Sequence, residues 1–490
     1  MTIAELKALI PLLVLASTSI VLMLLVTFVR HHRLVNLITL LGFITTAVLT
    51  LQQFGAEPIQ ITPLILLDDY SRLFIVVATL ASVPAAMFAY DYLQRGEDVK
   101  EEYYMLLALA VLGAGVLAAS NHFVSFFIGL ELLSVSLFAM VGYMVRGQNK
   151  RESTLEASVK YMILSGVSSS FLLFGVALIY MDLGALIFTE VYAQIQAGEI
   201  SGYGIIGTAM ILIGLGFKLS WVPFHMWTPD VYQGAPVPVT AFLATVSKVM
   251  VFAIALRVLV QSGAYEFAGV VNVLAAIAVL SIIVGNALAL LQSNVKRLLA
   301  YSSIAHLGYL VIALIAASTL ATSDRSFALE AVVFYLIAYA LMTWVAFGVI
   351  AILSSPEEGV EAEDISSFEG LFWRKPLLAS LMTLSLLSLV GMPLTAGFVA
   401  KFYVFAAGVS EKMWWLLATL IIGSAISLYY YLKIILQMCK TGDVSSEKLT
   451  HHFSLENTVL LSGLGILVIY LGVYPQPLID GVGKAVGVLL

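Results

Sequence analysis

Long apolar runs, broken by short clusters of charge, proline and glycine, fill the chain from end to end. Cutting at those clusters leaves about fourteen stretches of near-bilayer length. They are 9–29, 34–53, 70–90, 104–119, 122–144, 160–181, 203–223, 239–261, 268–291, 297–318, 328–353, 376–408, 413–438 and 455–474. A run of some 20 apolar residues is long enough to cross a bilayer as a helix, so the pattern predicts an all-α polytopic membrane protein. No soluble domain is inserted, and the longest polar linker is Ser354–Lys375. Two spans are predicted to be broken. The seventh runs into Pro223–Pro238, which holds four of the chain's 13 prolines, and the twelfth contains Gly391–Gly397. A broken helix frees backbone groups that survive at membrane depth only when buried in protein or lining a wet cavity.

Composition makes the bilayer the solvent. The chain is 61% hydrophobic and 11% charged, against about 25% charged in a soluble domain. Its net charge of -6 and its scattered basic residues argue against nucleic-acid binding. The one cysteine, Cys439, excludes an internal disulfide and a Cys-ligated iron–sulfur cluster or structural zinc. Leu9–Val29 lacks an A-x-A-like cleavage site and reads as a retained helix. Odd-numbered connections carry 13 Lys and Arg residues and the opposite side only Lys7, Arg325, Lys412 and Lys484. The positive-inside rule then puts the basic side in the cytoplasm and both termini on the outer side, which for a bacterial inner membrane is the periplasm.

The remaining seven cations fall inside spans or at their ends. Arg72, Lys160, Arg257 and Lys433 lie within a few turns of a span end, where long side chains can snorkel to the interface. Lys218, Lys248 and Lys401 lie deeper, and Glu131 joins them in the fifth span. A charge at membrane depth costs at least ~2.5–3.5 kcal/mol and is usually paired or functional. Free lysine, with a reference pKa near ~10.4, is a poor proton carrier at neutral pH. Desolvation disfavours an ammonium and an approaching carboxylate favours it, so a buried lysine with a movable acidic partner is a switchable proton site. Arginine would stay protonated, and all three deep cations are lysines. Glu131 with Lys218 could form such a pair, with Lys248 the next stop and Lys401 the corresponding site further along. The alternatives are a permanent Glu131–Lys218 ion pair between two helices, and a capping role for Lys401 at its helix break.

His225 and His306 adjoin this line of charges. Each is either a packing residue or a proton relay, His306 having Ser302, Ser303 and Tyr309 as candidate neighbours. Three other patterns read as structure. Gly202, Gly204 and Gly207 fit a dinucleotide-binding glycine spacing, but no strand precedes them. Ser165, Ser168 and Ser169 are small residues spaced for helix packing. The acidic run Glu357, Glu358, Glu361, Glu363, Asp364 reads as a solvated loop. There is also a trace of duplication: Glu131, Lys218 and Lys248 are followed by His306, Lys401 and Lys433, displaced by 175, 183 and 185 residues. Five spans separate the two sets, and an odd number inverts the second.

The strings GFKLSWVPFHMWTPDVYQGAPVPVTAF (216–242), KRLLAYSSIAHLGY (296–309) and GMPLTAGFVAKFYVF (391–405) closely resemble the antiporter-like membrane subunits of respiratory complex I, the NADH-quinone oxidoreductase. The likeness runs over nearly the whole chain. It implies fourteen transmembrane helices with helices 7 and 12 broken and two inverted five-helix repeats, each holding a proton half-channel. The chain then divides into 1–103 (helices 1–3), 104–262 (first repeat), 263–440 (second repeat) and 441–490 (helix 14). The resemblance makes Glu131 and Lys218 a modulating ion pair, Lys248 a central relay and Lys401 a site nearer the exit. A lysine at the twelfth-span position, and a chain that stops soon after the fourteenth span, resemble subunit N.

In that setting NAD, FMN, iron–sulfur clusters and quinone belong to other subunits, and this chain carries no redox or metal site. Its partners would be the M-type paralogue, the small K- and J-type subunits and membrane lipids. His225 and Lys433 are further possible relays. A rival reading is an Mrp-type cation/proton antiporter subunit, and another is a structural subunit whose charges only stabilise assembly.

Overall fold

The computed structural model describes residues 2–94, 100–143, 151–319, 322–354, 361–441 and 454–489. Eleven helices among them are long and apolar enough to cross a membrane, and four shorter apolar helices accompany them. The chain opens with α1 (Ile3–Phe28), α2 (His32–Leu51), α3 (Asp69–Gln94), α4 (Glu102–Ala118), α5 (Phe123–Val141) and α6 (Arg151–Leu183). A short surface helix, α7 (Phe188–Gln196), precedes the broken pair α8 (Gly202–Lys218) and α9 (Trp227–Gly234). Next come α10 (Val237–Phe242) and α11 (Lys248–Gln261), joined through a single π-helical turn, Leu243–Ser247. Then follow α12 (Ala268–Leu290), α13 (Val295–Thr319), α14 (Thr322–Leu353) and the short α15 (Leu371–Arg374). The second broken pair is α16 (Pro376–Val390) and α17 (Ala396–Ser410), followed by α18 (Trp414–Cys439), α19 (Leu455–Val473) and a short amphipathic α20 (Gln476–Val486).

Helices differ sharply in how much protein covers them. The most apolar window of α10–α11 is wholly buried, that of α13 is 94% and that of α14 is 83% buried. The corresponding values for α1, α2, α6, α18 and α19 are 39% or less. Lipid-facing helices must stay apolar on their outer side, so charge is held where protein covers it: Lys248, Arg257 and Lys296 lie on the well-covered α11 and α13, while Lys218 on α8 and Lys401 on α17 are themselves buried. Small residues let neighbours close in. A Cβ at Gly207 would stand 2.7 Å from the Gly175 carbonyl, and one at Gly175 2.6 Å from the Gly207 carbonyl. Gly207 therefore serves the packing of α8 on α6, and α8 follows no strand.

One departure from the all-α expectation sits between α2 and α3. Strands β1 (Ile59–Thr62) and β2 (Ile65–Leu67) form a two-stranded antiparallel hairpin. Glu57 and Thr62 each precede a proline, which disfavours helical backbone at those positions. Arg72 ties the hairpin down by donating to the carbonyls of Ala56 (2.6 Å), Glu57 (3.1 Å) and Leu67 (3.2 Å).

Two span-end cations therefore do not snorkel. Arg72 is 2% exposed, and its guanidinium also meets Asp69 at 2.8 Å. Arg257 on α11 is fully buried and reaches both carboxylate oxygens of Asp68, at 2.6 and 2.7 Å, while its guanidinium carbon lies 4.8 Å from the Tyr70 ring centroid. Each helix-end arginine has found a carboxylate inside the protein instead of reaching for water. Breaking a buried pair leaves an uncompensated charge, a loss of about 3–5 kcal/mol. Arg257→Met should therefore lower the melting temperature of the detergent-solubilised protein, and Asp68→Leu with Arg257→Met should recover part of it. A single variant as stable as the parent would show that the pair does not hold α11 to the start of α3.

Candidate functional site

The first helix break places Lys218. Helix α8 ends on that residue, Ser220 adopts a positive φ of 58°, and Val222–Pro223 is a cis peptide. The freed backbone groups find internal partners. Ser220 and Trp221 donate to the carbonyls of Phe217 (2.9 Å) and Gly216 (2.8 Å), and Val222 N–H donates to Ser281 Oγ of α12 (3.0 Å). Trp227 then fixes α9 by stacking between Tyr161 and Phe217 and donating Nε1–H to the Phe217 carbonyl at 3.0 Å. The break is thus rigidly packed.

Lys218 and Glu131 form an ion pair, but a long one at 3.8 Å. Serine hydroxyls fill the shorter distances. The Lys218 ammonium donates to Ser134 Oγ at 2.8 Å and Ser165 Oγ at 2.5 Å, while Ser169 Oγ donates to Glu131 Oε1 at 2.5 Å. Of the three α6 serines expected to serve packing, only Ser168, which donates to the Gly214 carbonyl at 3.0 Å, does so. Ser165 and Ser169 face the pair because residues four apart share a helix face.

Lys248 opens α11 directly after the π-helical turn, an irregularity often found at functional positions. Its ammonium donates to Ser303 Oγ of α13 at 2.8 Å and lies 5.3 Å from the Tyr232 ring centroid. Ser303 also accepts from the Tyr339 hydroxyl of α14 at 2.7 Å. One turn further along α13, His306 has its ring centroid 5.6 Å from those of both Tyr339 and Tyr309. Its hydrogen-bond partner is Tyr335, with Nδ1 2.7 Å from the hydroxyl, rather than Ser302 or Ser303. Ser302 instead meets Tyr431 of α18.

The second break places Lys401. Helix α16 ends at Val390, Gly391 and Leu394 take positive φ values of 94° and 70°, and α17 begins at Ala396. Gly397 is required there: a Cβ would stand 1.8 Å from the Ser388 carbonyl. Lys401 reaches back to the Val390 carbonyl at 2.8 Å, to Ser424 Oγ of α18 at 3.1 Å, and to within 4.9 Å of the Tyr309 ring centroid. It therefore caps the break and belongs to the polar line at once.

Five of the seven residues singled out in the sequence thus fall into two groups. Glu131 and Lys218 form one, and Lys248, His306 and Lys401 are strung along α13 through Ser303, Tyr339 and Tyr309. His225 is buried within the first break. Lys433 is exposed on α18 and joins neither group, which fits snorkelling better than relaying. Sequence reasoning missed Tyr335, Tyr339, Tyr430 and Asn286. The last accepts from the Tyr430 hydroxyl and donates to Tyr309, both at 3.1 Å. The i, i+4 spacing of Tyr335 and Tyr339 within an apolar span was the available signal.

Solved structures share this architecture. A chain of respiratory complex I from Thermus thermophilus with bound aureothin is 32% identical, with a TM-score of 0.80 over 97% of this chain and 99% of that one. A chain of the membrane-bound sulfane sulfur reductase, an archaeal respiratory membrane complex, is 27% identical with a TM-score of 0.87 over 99% and 98%. A chain of the Mrp complex from Dietzia sp. DQ12-45-1b is 19% identical with a TM-score of 0.85 over 100% and 98%, and shares the fold. Residues 120–427 match the family described as NADH:quinone oxidoreductase/Mrp antiporter, TM. A multi-pass membrane chain with 308 of its 490 residues inside that match belongs to the NADH:quinone oxidoreductase/Mrp antiporter family, whose members here are antiporter-like subunits of larger membrane complexes.

Proposed function

We propose that this chain is the N-type, proton-translocating membrane subunit of an NADH:quinone oxidoreductase, with fourteen membrane passages when each broken pair counts as one. The observation that carries the reading is the placement of three buried lysines within reach of hydroxyls, two of them at helix breaks, with Glu131 held 3.8 Å from the first of them. The 32% identity to a complex I chain supports the complex I reading. The chain would carry no redox chemistry itself, and NAD, FMN, iron–sulfur clusters and quinone would sit on partner subunits. The two sets of charges would lie in inverted repeats, 104–262 and 263–440, with the loops rich in Lys and Arg in the cytoplasm.

The chemistry follows from what holds each proton. A carboxylate near a desolvated amine keeps the proton on nitrogen, and its retreat lets the proton go. Serine hydroxyls around Lys218 solvate the ammonium without fixing its charge as a close carboxylate would. Glu131 moving toward or away from Lys218 would therefore load or release it, with Lys248 receiving. From Lys248 the Ser303–Tyr339–His306–Tyr309 line leads to Lys401. Each charge moved against 100 mV requires about 2.3 kcal/mol, which quinone reduction in the partner subunits would supply.

Three outcomes are expected. Lys218→Met should lower NADH-driven proton transport per assembled complex by about 10²-fold, the low end of what a positioned proton-transfer group contributes. Full pumping in that variant removes the mechanism. Lys248→Ala should likewise abolish pumping while a very large NADH-oxidising band survives on native gels. Lower yield with unchanged pumping per complex would instead make the charge structural, and sodium-dependent proton exchange by the isolated chain in liposomes would favour the Mrp reading. Ser165→Ala removes one acceptor from a buried ammonium and should lower stability by about 1–3 kcal/mol. A melting temperature equal to the parent's would show that Ser165 is not needed to solvate Lys218.

A further inference from the structure

A second set of buried charges is left unused by this mechanism. Lys296, in the first turn of α13, has a fully buried side chain. Its ammonium donates to the carbonyls of Gln233 (2.9 Å) and Ala235 (2.7 Å) and to Glu361 Oε2 (2.8 Å). An ammonium has three donors; these three partners accept from it, and Glu363 Oε1 stands a further 3.9 Å away. The other Glu361 oxygen accepts from the Tyr92 hydroxyl of α3. Two further side chains complete the clamp: Thr154 Oγ1 of α6 donates to the Gly234 carbonyl at 2.9 Å, and Thr240 Oγ1 to that of Tyr232 at 3.1 Å. The four carbonyls from Tyr232 to Ala235 end α9 and have no partner within that helix. Each is met by a side chain from α6, α10 or α13. Glu361 is thus no part of a solvated acidic loop. Glu363 is also held, by Asn294 at 2.9 Å, while Glu357 and Glu358 lie outside the described residues.

Capping alone would be a structural matter. What carries the inference further is that the clamped segment begins at Tyr232, whose buried ring lies over the Lys248 ammonium. A ring face so placed attracts the cation and shields it on that side. The position of the ring depends on where the end of α9 is held, and Lys296 holds it from both Gln233 and Ala235.

We propose that Lys296, Glu361 and Tyr92 form a positioning lock that keeps the end of the first helix break in place, so that Tyr232 covers Lys248 and limits proton access to it. The three are positioning residues and do not touch the transferred proton. The proposal rests on the reading of Lys248 as a proton relay. Loosening the lock would let the Tyr232 ring leave Lys248, and a change relayed through α3 or the loop carrying Glu361 would reach the relay by this route.

The test uses membrane vesicles carrying the assembled complex, with NADH-driven proton transport measured per complex across a range of pH. The variants are Glu361→Gln, Tyr92→Phe, Tyr232→Leu and the double Glu361→Gln/Tyr232→Leu. Tyr92→Phe deletes a single hydroxyl and guards against misfolding in the first. Glu361→Gln and Tyr92→Phe should each lower transport by about two- to tenfold, the range expected for one lost hydrogen bond. Both should move the pH profile in the direction that Tyr232→Leu moves it. The double variant should be no worse than Tyr232→Leu alone, because the lock acts through that ring. Losses that multiply in the double variant, or that reflect only fewer assembled complexes, would overturn the lock. Full transport in Lys248→Ala would defeat the relay reading itself, whereas an inactive Lys248→Ala beside a fully active Glu361→Gln would defeat the lock alone.

Discussion

Everything in this structure depends on satisfying the backbone where two membrane helices are broken. Inside a bilayer each unpaired N–H or C=O costs several kcal/mol, so a break exists only where the protein supplies partners. Here the partners and the functional candidates overlap. Lys401 satisfies the Val390 carbonyl at the second break, and Lys296 satisfies two carbonyls at the end of α9. Lys218 terminates α8 at the first break. The breaks create polar demand at membrane depth, and lysine meets it with a flexible stem and three donors. In return the wholly buried helices supply a protein interior that replaces lipid around those charges.

The buried cations then divide by what neutralises them. Arg257 and Lys296 meet carboxylates at 2.6–2.8 Å, an arrangement that fixes the charge and orders the fold. Lys218, Lys248 and Lys401 have hydroxyls within hydrogen-bond reach instead, and the carboxylate paired with Lys218 stands off at 3.8 Å. A hydroxyl can accept from an ammonium or donate to an amine, so it tolerates both protonation states. A close carboxylate does not. The same residue type therefore serves as a fixed clamp at position 296 and as a candidate carrier at 218, 248 and 401, and the difference lies entirely in the second partner.

How much of this was legible follows from what each signal depends on. The two breaks and the deep lysines stood out because charge is rare in apolar spans and because residues 216–242 and 391–405 set proline and glycine beside Lys218 and Lys401. The hairpin at 59–67 was hidden because strands of four and three residues leave too few alternations to register. The role of Ser165 and Ser169 is hidden in the sequence because a serine in a membrane helix looks the same whether its hydroxyl bonds its own backbone or a lysine on another helix. Arg257 near a span end gave no hint of Asp68, which lies 189 positions away. Contacts of that separation depend on how helices pack, and a period along one helix says nothing about its neighbour.

The two sets of charges related by spacing are where pattern and packing part. Lys401 takes the place that the spacing assigns it, beside a broken helix, as Lys218 does. Lys433, the counterpart of Lys248 by spacing, lies exposed on α18, a helix with only a third of its apolar window buried. The polar line instead passes from Lys248 to Lys401 through α13, whose Ser303, His306 and Tyr309 recur every third residue and so share a face. A helix 94% buried can present such a face without meeting lipid, and a rim helix cannot. Burial, more than spacing along the chain, decides which of these positions can hold a charge at depth. That constraint puts the crossing between the two sets of charges on a helix that protein covers almost completely.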